Sequence, residues 1–367
     1  MKLLLISNYP IKYRVDFYNR LYDLCDNGKN IRFLFFENQG QEQRKICDYQ
    51  AKFLQAGRIG KGWFWNFLLV FYSMIFFHPQ NAIVNGFSPY ASFALIMGRI
   101  TGCKVYVWWA GTFQSEINIH GFRLKLRKFL ARLAYGGIFY SPDTEAHFLS
   151  LNPRCHRRFV LGNNTRDAHA VFNRAQSFAS QHQCNDARLH LITTAFQTPR
   201  KNTIELLKAA KIIIDNNEKL PPFVIDIVGD GSELQKLKKY TMQYNLPVVF
   251  HGHKDNDEVF KILINADIFI QPSLLDQWPQ SYTEAMCCGK PALLSYTSGV
   301  SNAYTQQYGE HVLFDANNPN DLAQKIISLL RDEQLRMKLA KASKETAFNC
   351  DGITQSVKLL HFLNNKT

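Results

Sequence analysis

Along the 367 residues, short continuous apolar runs alternate with longer stretches whose apolar positions recur at the helical period. Residues 2–7 form the first run, closed by Asn8, Tyr9 and Pro10. Further runs stand at 31–37, 82–85, 104–109, 137–141 and 157–161, then at 189–194, 223–228, 248–250 and 268–270. Runs without strict alternation suit parallel strands covered on both faces. Between them, residues 10–21, 89–101, 122–134, 203–215 and 321–347 carry helical spacing, and a last helix is expected over 353–363. The alternation occurs twice, on either side of a polar stretch at 173–188 that reads as a linker. Two doubly wound α/β domains are therefore expected.

The richest stretch is 266–291. It reads as a strand ended by Pro272 and Ser273, a loop, and a helix opening at Gln280 or Ser281. Gly289 stops that helix and Pro291 prevents it from resuming. Asp276 then lies in the loop and Glu284 in the first helical turn. Free amides at the helix start, around Gln280, Ser281 and Tyr282, suit an anion. A diphosphate fits the amides, and sugar hydroxyls fit the two carboxylates.

Two other stretches break the regular pattern. Residues 63–77 are almost wholly apolar and rich in aromatics, but they fall short of the roughly 20 residues that span a bilayer. A core helix of the first domain is expected there, with a helix lying in a membrane interface as the alternative. Residues 122–134 set Arg123, Lys125, Arg127, Lys128 and Arg132 among leucines and Phe129, giving a basic amphipathic helix.

Charge sharpens this. Residues 1–170 hold 22 Lys and Arg against 10 Asp and Glu, net +12, and residues 171–367 hold 21 against 20, net +1. No zinc-finger, RNP-like or recognition-helix pattern accompanies the basic half, so nucleic acid is not expected. An anionic membrane surface is the better partner. The eight cysteines are scattered without a C-x-x-C pair, which argues against a metal or redox cluster and for a reducing cytoplasm. The first residues make a poor signal peptide and a good first strand.

The stretch with Asp276, Glu284-Ala285-Met286 and Gly289-Lys290-Pro291 resembles the acidic-x7-acidic motif of retaining glycosyltransferase family 4, with Asp at the first acid where Glu is usual. The resemblance runs along nearly the whole chain. Residues 162–167 resemble the turn that closes the family's first domain. Residues 195–202 resemble its diphosphate-clamping segment: Lys201 matches the lysine, Phe196 stands at the arginine's place, and Arg200 is the substitute. Gly229 lies in a matching Val-Gly-x-Gly, and His253 and Lys254 in the loop beside the nucleotide base. Where relatives carry His-Gly, this chain has Ala110 and Gly111.

The resemblance implies a GT-B fold, two Rossmann-like domains facing across a cleft. The first spans 1–167, 168–188 connects, 189–351 binds the donor, and the terminal helix at 352–367 packs back on the first domain. It implies transfer of a sugar from a nucleoside diphosphate sugar, UDP before GDP, to a glycan or lipid-linked hydroxyl with retention. Lys201 and Arg200 would neutralise the diphosphate, Glu284 hold the ribose and Asp276 the sugar. Arg14, Gly111, Thr112 and His120 are the acceptor-side candidates. No metal and no cofactor beyond the sugar nucleotide are expected, and the setting is the inner face of the cytoplasmic membrane. A sugar-nucleotide 2-epimerase or a non-catalytic partner subunit of the same fold are the alternatives.

Overall fold

The structure, a computed structural model, describes residues 1–8, 14–36, 51–59, 62–161, 166–179, 186–216, 219–300 and 303–365. Most of the first loop (residues 9–13) and most of the turn at 162–167 lie outside the described residues. The chain divides into two compact units, Met1–Asp167 with Cys350–Thr367, and Ala168–Asn349.

Among the described residues the first unit has seven parallel strands: β1 (Leu3–Ser7), β2 (Ile31–Phe35), β3 (Gly57–Ile59), β4 (Asn81–Asn85), β5 (Lys104–Trp109), β6 (Gly136–Phe139) and β7 (Arg157–Val160). Their order is β3-β2-β1-β4-β5-β6-β7. The apolar runs of β1, β2, β4, β5 and β6 are buried on both faces because helices cover both, whereas the edge strand β7 is only partly buried. On one face lie α1 (Val15–Leu24) and the terminal helix Gly352–Asn364, which pack together. Arg157 Nη2 donates to the Phe362 and Asn365 carbonyls and ties that helix to the sheet edge.

The other face carries α2 (Trp63–Tyr72), α3 (Pro89–Thr101), α4 (Gly121–Leu133) and α5 (Pro142–Leu151) over one apolar core. Local chemistry sets their ends. Ser88 caps α3 with Pro89 in its first turn, Gly102 closes it in the left-handed region, and Ser141 and Thr144 form a reciprocal capping pair on α5.

Helix α2 corrects one expectation. It is not a core helix: only Asn66 and Val70 are buried, while Trp63, Phe64 and Trp65 are more than 60% exposed. A segment apolar all round cannot hide more than one side when it lies on the outside of a sheet layer. The remainder faces outward.

Among the described residues the second unit has six parallel strands: β8 (Leu189–Thr194), β9 (Phe223–Val228), β10 (Val248–Gly252), β11 (Ile268–Gln271), β12 (Ala292–Ser295) and β13 (Leu313–Phe314), in the order β10-β9-β8-β11-β12-β13. Its helices are α6 (Ala168–Ala179), α7 (Thr203–Asp215), α8 (Leu234–Gln243), α9 (Asn256–Asn265), α10 (Gln280–Cys287), α11 (Ala303–Val312), α12 (Pro319–Arg331) and α13 (Glu333–Asn349). The expected linker is a second correction. Residues 168–179 form α6, which packs on α9 and α10 through Val171 and Ala175 and belongs to this unit.

Candidate active site

In the second sheet the strand order reverses between β8 and β11, which are hydrogen-bonded neighbours running parallel. Loops leaving the carboxyl ends of such a pair splay apart and leave the crevice where open α/β sheets bind ligands. The loop after β8 carries Arg200 and Lys201; the loop after β11 carries Asp276.

The first loop is held rigidly. Gln197 is fully buried and donates to the Ala195 and Val228 carbonyls, while its own oxygen accepts from Thr203. A 3-10 turn, Pro199–Lys201, follows, and Asn202 closes it with φ 55°, donating to the Ala316 carbonyl at 2.7 Å. Gly229 and Gly231 explain the Gly-x-Gly. A Cβ on Gly229 (φ 114°) would stand 2.0 Å from the Ala195 carbonyl oxygen, and one on Gly231 2.3 Å from that of Gln197. Gly229 thus lets the loops after β8 and β9 touch, a packing role rather than a side-chain contact.

The two loops are stitched to each other. Leu274 N donates to the Arg200 carbonyl at 2.9 Å, and Gly299 N to that of Asp276 at 2.7 Å. Lys201 Nζ lies 2.5 Å from Asp276 Oδ2, with both side chains about 15% exposed (16% and 13%). Arg200 is more open at 54%; its Nη1 donates to the Leu275 carbonyl at 2.7 Å and stands 3.8 Å from Asp276. Cationic density therefore collects at the crevice, anchored by one carboxylate.

Helix α10 starts at Gln280, directly after Pro279, which places Glu284 at its fifth position, beyond the first turn in which it was expected. Glu284 is half-buried. Ser281 donates to Gln271, which donates on to Ser273. Gln280 Oε1 is buried with no hydrogen-bond partner among the described residues. Tyr282 is fully buried, so its ring belongs to the core and not to a donor contact. His253 is exposed, and Lys254 reaches along α9 to Glu258 at 3.1 Å. The neighbouring His251 turns inward instead. It and His190 flank the buried Asp226 carboxylate, each at 2.7 Å.

In the first unit the candidates separate. Arg14 is neither solvated nor poised for an acceptor: it is 2% exposed, stacked 4.1 Å over Trp108 and bonded to the Tyr140 hydroxyl. Aromatic faces hold a guanidinium well, because it is planar and weakly hydrated. Gly111 is buried, and a Cβ there would press 2.6 Å into the Trp109 ring. Thr112 locks a turn with Ser115. His120 is exposed at the amino end of α4 and makes no capping bond.

The histidine that does approach the β5 loop is His147, which sequence reading passed over. It accepts from Trp109 Nε1 at 3.2 Å and stacks on that ring. Burial pulls its imidazole below the ordinary value, partly opposed by a hydrogen bond with the Gly111 backbone. Nothing in its local sequence marks it, because its partner Trp109 lies 38 residues away on β5.

A family profile for glycosyl transferases group 1 matches residues 176–346. The matched range lies within the second unit. That range contains Arg200, Lys201, Gly229, Asp276 and Glu284, and leaves the first unit outside. Over 161 residues the chain is 31% identical to an uncharacterized glycosyltransferase of Methanocaldococcus jannaschii, covering 44% of this chain and 43% of the relative. Over 142 residues it is 30% identical to the UDP-Gal:alpha-D-GlcNAc-diphosphoundecaprenol alpha-1,3-galactosyltransferase of Escherichia coli, covering 38% and 36%. The chain thus spans less than half the length of these curated relatives.

Among solved structures, the Anabaena protein HepE in complex with UDP superposes with a TM-score of 0.78 at 16% identity, covering 99% of both chains. The fold is GT-B. The β8–β11 crevice, with Arg200, Lys201 and Asp276, lies beyond the carboxyl ends of the strands, where open α/β sheets bind ligands.

Proposed function

We propose that the chain is a retaining glycosyltransferase that moves a sugar from a nucleoside diphosphate sugar, UDP-linked in the first instance, to a hydroxyl of a glycan or lipid-linked acceptor. The observation that carries this is the convergence of Lys201, Arg200 and Asp276 at the switch point of a group 1 domain. Leaving-group charge grows on the diphosphate as the bond from the anomeric carbon breaks, and preformed cations stabilise that charge most where water is limited. Lys201, with three N–H donors, can keep Asp276 and still meet a phosphate oxygen. Glu284 holds the ribose hydroxyls. The acceptor oxygen attacks on the face the diphosphate leaves, and its proton passes to a phosphate oxygen. No enzymic nucleophile and no metal are invoked, so positioning and charge supply the rate. The UDP and the lipid-diphosphate acceptor named for the Escherichia coli relative support those choices.

The setting we propose is the inner membrane surface in bacterial surface-polysaccharide assembly. No helix among the described residues is long and apolar enough to cross a membrane. Helices α2 and α4 both pack on α3, so their outward sides belong to one layer. That layer exposes Trp63, Phe64 and Trp65 on α2 and Phe122 and Phe129 on α4, among lysines and arginines. Aromatics with cations suit shallow burial at an anionic surface.

Incubation with a panel of UDP- and GDP-sugars, following nucleoside diphosphate release and sugar transfer, tests the activity. Release on adding a lipid-linked acceptor is the expected result. Conversion of the donor to its 2-epimer without release would point to an epimerase, and binding without turnover to a non-catalytic subunit.

A further inference from the structure

A second basic feature lies away from the β8–β11 crevice, inside the first unit. A pocket of about 600 Å³ opens where α3, α4 and α5 end, beside the start of β6, lined by Arg99, Arg132, Arg154, Tyr135 and Asn152. This is the amino-terminal edge of the strands, the edge opposite Gly111. No carboxylate among the described residues lines it. Lys104 adds a fourth cation, its ammonium 4.9 Å over the Tyr135 ring.

Helix carboxyl ends disfavour anions, since each carries up to about half a negative charge. Here the last-turn carbonyls of α4 are already answered. Arg99 donates to those of Leu133 and Arg132 at 3.0 Å each, and Asn152 to that of Ala131 at 2.9 Å. Arg132 and Arg154 remain exposed and have no ion pair among the described residues. Two unclaimed guanidinium forks in one pocket match a phosphate, which they can grip bidentately.

What surrounds the pocket narrows the ligand. Ile96 and Ile100, 44% and 71% exposed, flank Arg99 along α3. On α4, Phe122, Leu126 and Phe129 are exposed at helical spacing, and Arg132 follows Phe129 by three positions. The two apolar ridges therefore run to the pocket's mouth. A soluble phosphate would have no use for them, whereas a phospholipid offers a phosphate and an acyl boundary together. Resting on the membrane reading above, we infer that this pocket takes the phosphate headgroup of an anionic phospholipid while the ridges enter the acyl boundary. It would fix the first unit's orientation on the bilayer.

The test is sedimentation of the full chain with vesicles of phosphatidylcholine, alone or with phosphatidylglycerol. The wild type binds only the mixed vesicles. The double variant Arg132→Lys/Arg154→Lys keeps the charge but loses both forks, and its affinity falls at least about fivefold. The equally conservative Arg174→Lys control, on α6 in the second unit, changes nothing. Thermal melts that match the wild type show that both variants are folded. Binding by the double variant equal to wild type would mean diffuse attraction and overturn the pocket. Capture of inorganic phosphate by calorimetry, with mixed vesicles ignored, would make it a site for a soluble ligand and also overturn it. Nucleoside diphosphate release is followed in parallel. Its absence in the wild type counts against the transferase reading alone, because vesicle binding does not depend on it.

Discussion

Lys201 and Asp276, 75 residues apart, meet with Nζ 2.5 Å from Oδ2. The two groups assigned to opposite ends of a sugar nucleotide, one to its phosphates and one to its sugar, hold each other across adjacent loops. This fixes the lysine's ammonium in the crevice before any ligand arrives, so less ordering is left to do on binding. It also couples the two residues. Losses for Lys201→Ala, Asp276→Asn and the double variant should be non-additive, with a coupling of about 0.5–3 kcal/mol in kcat/KM. Strictly additive losses would show that the pair is incidental.

Arg200 is expected to matter less than its neighbour. It is half-exposed, lies 3.8 Å from Asp276 and spends a donor on the Leu275 carbonyl. Exposed pairs contribute only about 0–1 kcal/mol. Arg200→Ala should therefore cost no more than about fivefold in kcat/KM. A loss as large as that of Lys201→Ala would make Arg200 the principal phosphate cation.

Glu284→Gln should raise the dissociation constant for the donor and for free UDP alike, since ribose belongs to both. A charge-assisted hydrogen bond contributes about 1.5–3 kcal/mol. If only sugar-bearing donors were weakened, the carboxylate would serve the sugar instead.

Gly229→Ala should destabilise the second unit by at least about 1–3 kcal/mol, the usual cost of a side chain in a forbidden backbone region. The added Cβ would also drive the Ala195 carbonyl away, and with it the loop that carries Lys201. Denaturant melts should report the first effect and UDP titration the second. An unchanged melt would contradict the close approach.

His147 gives a pH dependence. Burial lowers its folded-state value below the ordinary histidine value of about 6.5, so the unfolded chain binds the proton more readily. Stability then rises with pH across the window between the two values and is fully present above about 6.5. It is lost as pH falls through that window. His147→Gln should flatten this limb of the stability profile. A wild-type profile level from pH 7 down to 5 would contradict it.

Reversing Arg123, Lys125 and Lys128 should release the protein from anionic vesicles, at about 1 kcal/mol for each well-placed charge. Arg127 is left out because it turns inward to Glu116 and over the Trp109 ring. High salt should act the same way, since exposed charges are screened within about 8–10 Å at physiological ionic strength. A wild type that ignores anionic vesicles at low salt would leave the basic face merely solvated.

The legible parts of the chain were those where local pattern and fold agree. Parallel strands read as apolar runs because both faces are covered, and the loop–helix stretch from Asp276 to Pro291 carries its own punctuation. Sequence misled where burial depends on a distant element. The aromatic segment at 63–77 looked like core because it is apolar, but only one of its sides meets the sheet layer. Arg14 stood among the acceptor-side candidates, yet Trp108 and Tyr140, far along the chain, enclose it. His147 was invisible for the same reason, and α6 was hidden in a stretch whose polarity suggested linker while Val171 and Ala175 pack inward. The Lys201–Asp276 pair needed the β8–β11 adjacency, which no local pattern states.

The central claim is that a nucleoside diphosphate binds in the β8–β11 crevice against Lys201. Calorimetric titration of UDP and GDP into the wild type and into Lys201→Ala tests it most directly. Saturable binding of one diphosphate to the wild type is expected. Binding to the variant should be at least about tenfold weaker, the scale of one lost charge-assisted hydrogen bond. Equal binding to both proteins, or none to the wild type, would contradict it.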